Sequence, residues 1–127
     1  MTMRQRYYKL VGHEVVPING VYLYDKAGMP TDFTRDTDIL KEWKDAWSVS
    51  RVVAQTVVGP MHVSTVFLVL DHNQSPDPDA LPLVFETMIF DADGDEQYQE
   101  RYSTWNEAEA GHARAVAHAE MLRGKHS

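Results

Sequence analysis

The chain has 127 residues, 43% of them hydrophobic and 24% charged, the mix of one globular domain rather than of a disordered, collagen-like or coiled-coil chain. Twelve Lys and Arg stand against 19 Asp and Glu, a formal charge of −7, which disfavours direct binding to nucleic-acid phosphates. No apolar run is long enough to span a membrane, Met1 to Lys9 lacks the greasy core of a leader, and zero cysteines remove disulfides, thiolate metal sites and Cys nucleophiles, so a cytoplasmic protein is expected.

In chain order, Arg6 to Val11 is rich in strand formers, Gly12-His13 interrupts it, and Glu14 to Ile18 reads as a short partner strand with Pro17 at an edge. Asn19-Gly20 is a tight-turn dipeptide, and Val21 to Tyr24 a further short strand. Residues 25–35 hold Gly28, Pro30 and several Thr and Asp, which predicts a mobile loop. Asp36 or Thr37 caps an amphipathic helix of about three turns, with Ile39, Leu40, Trp43, Ala46 and Trp47 on one face. The two indoles predict a ridge that docks on the core.

Arg51 to Val58 and Met61 to Leu70 read as strands of a hairpin around Gly59-Pro60. The run Val66 to Leu70 is apolar at every position, which predicts a central strand covered on both faces. Residues 71–82 are polar and contain three prolines: another loop. Leu83 to Phe90 is a third strand, Asp91-Ala92-Asp93-Gly94-Asp95 a turn, and Gln97 to Ser103 its partner strand. Thr104 and Glu107 have capping-box spacing for a last helix running to about Leu122, with Gly124 as its stop. Its inward stripe is Trp105, Ala108, His112, Ala115, Ala119 and Leu122. The architecture expected is α+β: one domain over residues 1–127, a single antiparallel sheet of four to six strands with two helices packed on it. Phe67, Val69, Phe85, Ile89, Trp105, Ala115 and Ala119 are its expected core.

The segments Tyr8 to Pro17, His62 to His72, Leu83 to Phe90 and Arg101 to His112 resemble a group of small bacterial and bacteriophage-encoded proteins of unknown function. The resemblance covers most of the chain outside residues 19–36, which look like an insertion relative to that pattern. It implies a setting, a bacterial cell or its phage, and assigns no activity or site residue.

Two constellations carry candidate chemistry. Asp71, His72, Glu86 and His112 could converge on Zn²⁺, Mn²⁺ or Fe²⁺ and activate a water for hydrolysis. Their spacing matches no metalloenzyme motif, and the plainer reading makes His112 a buried neutral imidazole hydrogen-bonded to a backbone carbonyl or to Glu86, the latter the natural candidate, with Asp71-His72 capping a strand end. The second constellation is acidic: Asp77, Asp79, Asp91, Asp93, Asp95 and Glu96 could meet a basic partner surface, where charge speeds and orients encounter. Asp91 to Asp95 departs from a calcium-loop pattern because Gly94 precedes the third Asp. No phosphate-binding loop, dinucleotide fingerprint or nucleophile elbow occurs, so no cofactor is expected. The resulting expectation is a small acidic non-enzymatic binding protein, an accessory factor, in one version a defence component, that binds and modulates a host or phage protein. The alternatives are a small metal-dependent hydrolase using the Asp71, His72, Glu86, His112 cluster, and an assembly protein that forms homo-oligomers through a sheet edge.

Overall fold

The computed structural model describes residues 7–18, 37–73, 75, 77 and 79–125. They form β1 (Tyr8–Val11), β2 (Glu14–Pro17), α1 (Thr37–Ser48), β3 (Val52–Val58), β4 (Met61–Phe67), β5 (Phe85–Phe90), β6 (Glu96–Tyr102) and α2 (Trp105–Lys125). The class is α+β, and among the described residues every strand pairing is antiparallel. The expected Asn19-Gly20 turn, the strand Val21 to Tyr24 and the loop 25–35 lie outside the described residues. None of the described helices is long and apolar enough to cross a membrane.

Among the described residues, the single sheet expected from the sequence is replaced by two: a β1-β2 hairpin and a four-stranded meander of order β3-β4-β5-β6. The chain divides into two compact units, one of Met1–Ser50 with Val69–Pro82, the other of Arg51–Leu68 with Leu83–Ser127. The helices are divided too: α1 contacts β1, whereas α2 packs on β3, β4, β5 and β6.

In the hairpin unit, Gly12-His13 joins β1 to β2, with Gly12 at φ 62°, the left-handed region that a residue without Cβ adopts at little cost. The Lys9 ammonium reaches the Glu42 carboxylate at 2.8 Å and ties β1 to α1. Ala46 of α1 is buried, but Trp47 is 37% exposed, so this indole does not form the expected core ridge. The Ile39, Leu40 and Trp43 side chains lie outside the described part. Val69, fully buried, sits at φ 69°. A β-branched residue in that region costs about 1–3 kcal/mol and persists only where its surroundings hold it. Here the Tyr8 amide donates to the Val69 carbonyl at 2.8 Å, and Tyr7 bridges Leu70. This conformation ends strand alternation, so β4 stops at Phe67 instead of running to Leu70. The all-apolar run Val66 to Leu70 therefore serves two units rather than one central strand.

In the sheet unit, β3 and β4 are joined by Gly59-Pro60, with Gly59 at φ 57° and the Arg123 side chain laid over it. Strand alternation sends one set of residues toward α2 and the other to the opposite face. Val58, Met61, Val63 and Ile89 pack against Ala115 and Ala119, with Tyr98, Val116 and Leu122 at the margin. Nearer the start of the helix, the Phe67 and Phe85 rings lie 5.2 Å apart, and Phe85 meets Trp105 edge-on at 6.2 Å. The expected core thus holds for Phe67, Phe85, Ile89, Ala115 and Ala119; Trp105 is half-buried and Val69 belongs to the other unit. Thr104 caps α2 as its spacing predicts: its hydroxyl accepts from the Glu107 amide at 3.1 Å and donates to the Glu107 carboxylate at 3.0 Å. The helix continues through Gly124 to Lys125.

Candidate functional site

The inward face of the sheet carries a polar seam as well as a greasy one. Thr56 of β3, Thr65 of β4 and Thr87 of β5 all point toward α2, because Thr56 pairs with Val63, and Thr65 with Thr87, on that side. The Thr65 hydroxyl lies 2.5 Å from that of Thr87 and 2.7 Å from His112 Nδ1, while His112 Nε2 lies 2.9 Å from the Thr56 hydroxyl. Both ring nitrogens are therefore engaged by hydroxyls, which can donate or accept. Thr65 and Thr87 are fully buried and His112 is 7% exposed. Burial disfavours the charged imidazolium and lowers the His112 pKa below its ordinary value.

Beside this seam, Gly111 lets a tyrosine approach the helix backbone. A Cβ on Gly111 would come 2.1 Å from the Tyr102 hydroxyl and the ring carbon bearing it. The Tyr102 hydroxyl is buried, and burial raises its pKa. A second polar link joins β6 to α2 at the surface: Tyr98 donates to Glu100, which also receives Arg114 at 2.7 Å. Burial and the bond to Glu100 push Tyr98 up to about 12, and accepting that bond holds Glu100 below the usual carboxylate range.

The expected His112–Glu86 pair is not formed. Glu86 alternates with Phe85 and Thr87, so it leaves on the sheet face opposite α2. There it accepts from Arg101 Nε at 2.9 Å and from Gln99 Nε2 at 2.6 Å. Residues on opposite faces of one sheet cannot share an ion, so Glu86 and His112 do not belong to one metal site. Asp71 is buried in the hairpin unit, where one carboxylate oxygen accepts from the Asn73 amide at 2.7 Å; His72 is half-buried beside it in sequence.

The acidic residues fall in two places. In the hairpin unit, Asp77 and Asp79 are exposed, and an Asp77 carboxylate oxygen accepts from the Asp79 amide at 2.9 Å, a local turn that the residue type favours. In the sheet unit, Asp91, Asp93, Asp95 and Glu96 occupy the β5–β6 turn. Asp91 Oδ1 accepts from the Asp93 and Asp95 amides at 3.0 and 2.9 Å, and its other oxygen accepts from Gln97 at 2.8 Å. Gly94 at φ 83° closes the turn. Asp91 is thus the scaffold, while Asp93, Asp95 and Glu96 are exposed. One ligand atom from each of Asp91, Asp93 and Asp95 lies within 4.8 Å of the others. Such a trio has the oxygen chemistry of a hard-cation site, but it joins strands rather than helices, and Gly94 precedes the third Asp.

A cleft of about 380 Å³ lies between β1 and α1, lined by Lys9, Leu10, Lys41, Glu42, Asp45, Ala46 and Val49. Its charged side chains pair with one another, Lys9 with Glu42 and Lys41 with Asp45.

Sequence reasoning placed His112 inward but missed its partners. The threonines occupy inward positions of three strands, a signal readable only once the β3–β4 and β4–β5 registers are known. It also missed Gly111, whose role depends on the Tyr102 ring above it.

The class defined by these features is an α+β protein with a threonine–histidine seam under its last helix and an acidic hairpin turn. No family model, curated protein or solved structure matches the chain.

Proposed function

We propose that the chain is a small acidic non-enzymatic binding protein, a bacterial or phage accessory factor that contacts a basic surface of a protein partner and modulates it. The observation that carries this reading is the division of its polar groups. His112 is engaged within the helix–sheet interface, and Glu86 is engaged by Arg101 and Gln99 on the other face. Asp93, Asp95 and Glu96, by contrast, stand exposed on a turn whose shape Asp91 and Gly94 hold. A preorganised acidic turn loses little freedom on meeting a cationic surface, and its charge steers encounter. The reading assigns contact to Asp91, Asp93, Asp95 and Glu96, and in the other unit to Asp77 and Asp79.

The test is capture from bacterial lysate at low and high salt, with wild-type protein and a D93N/D95N/E96Q variant that keeps Asp91. Partners retained by wild type at low salt, released at high salt and not retained by the variant support the reading. Retention of the same proteins by the variant, or at high salt, overturns it.

A further inference from the structure

We propose that the free edge of the four-stranded sheet is a self-association surface on which β3 pairs antiparallel with β3 of a second copy, about a two-fold axis at Gln55. Among the described residues β3 pairs with β4 alone, so its other side is a sheet edge. In an antiparallel pair, every second residue directs its amide and carbonyl away from the neighbour, and an edge strand presents that row for pairing.

Three observations select a copy of this chain as the occupant. First, Val52-Val53-Ala54-Gln55-Thr56-Val57-Val58 reads nearly the same in both directions. Two-fold pairing centred on Gln55 sets Val52 against Val58, Val53 against Val57 and Ala54 against Thr56, and faces the Gln55 amide with its own symmetry mate. A primary amide has both donor and acceptor, so that self-pair is complementary. Isologous contacts require this self-matching, and a two-fold axis is the commonest way for identical chains to associate. Second, the strand is uncharged in a chain of formal charge −7, so two copies can approach along it with least repulsion. The opposite edge, β6, carries Glu96, Glu100 and Arg101, the sort of charged edge that resists pairing. Third, β3 holds apolar surface in water: Val57 is 73% exposed and Val52 46%. The bulge between Val52 and Ala54 limits the regular part of the two-fold ladder to Ala54 through Thr56, centred on the Gln55 pair, with Val57 and Val58 facing the bulged Val53 and Val52 of the other copy.

The inference stands on β3 and not on the acidic turn. It adds a geometric consequence to the binding reading, since the β3–β4 and β5–β6 turns lie at the same end of the sheet, His62 being paired with Phe90. Pairing about Gln55 reverses one copy, so the two acidic turns would stand at opposite ends of a continuous sheet and could engage two basic sites at once.

The chain has no cysteine, so single-cysteine variants report the register directly. Q55C should give a covalent dimer under mild oxidation, because directly opposed residues lie within the Cα separation of about 4.4–6.8 Å that a disulfide needs. V57C should not, because the two Val57 positions would be offset by about 13 Å along the strands at roughly 3.3 Å per residue. Wild-type protein should sediment at twice the monomer mass, and V57K, which places a charge on the ladder, should sediment as a monomer with its circular-dichroism spectrum unchanged. A wild-type chain monomeric at every concentration overturns the proposal. So does V57K that remains a dimer, or a V57C chain that cross-links as readily as Q55C. If V57K fails to fold, the cysteine pair decides alone.

Discussion

The two helices differ in a way that inverts their sequence patterns. α1 shows a clear amphipathic stripe containing two tryptophans, yet among its described side chains only Ala46 is buried, and Trp47 is 37% exposed. Its described polar ties are at the surface: Lys9 to Glu42, and Lys41 to Asp45 within the helix. α2 has a stripe of small residues interrupted by a histidine, and Ala108, Ala115 and Ala119 are fully buried beneath it. Burial here follows how closely the helix backbone approaches the sheet, and small side chains permit that approach. The size of the apolar residues decides less.

That comparison can be broken by four measurements. The largest effect belongs to Phe67, whose ring leads through Phe85 to the first residue of α2. Phe67→Ala should cost about 3–5 kcal/mol, much of a small domain's stability of roughly 5–15 kcal/mol. A melting temperature equal to wild type would mean that the aromatic file does not anchor the helix.

Next is Gly111→Ala, a substitution that helix propensity alone favours by about 1 kcal/mol. The added methyl meets the Tyr102 ring at 2.1 Å, so overpacking of about 1–3 kcal/mol should win and the melt should fall. A stabilised variant would show that α2 does not sit so close.

The third measurement is pH dependence. The His112 pKa is lowered in the folded state by burial, against about 6.5 unfolded. Its hydrogen-bonded neighbours on β3 and β4 are the neutral Thr56 and Thr65. Thr87 of β5 follows through Thr65, and from β6 come Tyr102 and Glu100, the latter paired with Arg114 of α2. Above about pH 6.5 both states hold neutral imidazole and stability is unaffected. As pH falls below that value the unfolded chain takes the proton first, so stability declines until the lowered folded pKa is passed, where the loss levels off. Denaturant midpoints of wild type and H112Q across this range should diverge, with the acid-side decline smaller in the variant. Parallel curves would remove His112 as the cause.

The smallest effect is expected from α1. Lys41→Ala breaks an exposed i,i+4 ion pair of 2.8 Å and should change stability by about 0.3–0.5 kcal/mol. A loss as large as that of Gly111→Ala would mean that α1 depends on surface charge far more than exposed pairs ordinarily allow.

Local chemistry was legible in the residues. Gly12-His13, Gly59-Pro60 and Asp91 to Asp95 lie at the turns they predict, and Thr104 caps the helix it precedes. The inward stripe of α2, His112 included, was readable from its spacing. The candidate site was legible only in part: the acidic turn was located, but the partner assigned to His112 was not the one it has. Glu86 stands among apolar neighbours in the sequence, which suggested a buried carboxylate, yet alternation sends it away from α2 to Arg101.

What the sequence by itself determined is what depends on neighbours within about one helical turn or one hairpin loop: element type, turn positions, the cap and the inward phase of α2. Only the tertiary structure decided which elements share a sheet, where β4 ends and what His112 touches. The division into a two-stranded and a four-stranded sheet accompanies a left-handed Val69, a conformation that valine's own preferences oppose and that Tyr8 and Tyr7 help to hold. The partners of His112 lie 47 and 56 residues away in the chain. They meet it only after strand register and helix rotation are both set, because a hydrogen bond of under 3 Å reads the position of two backbones at once, and no local preference encodes that.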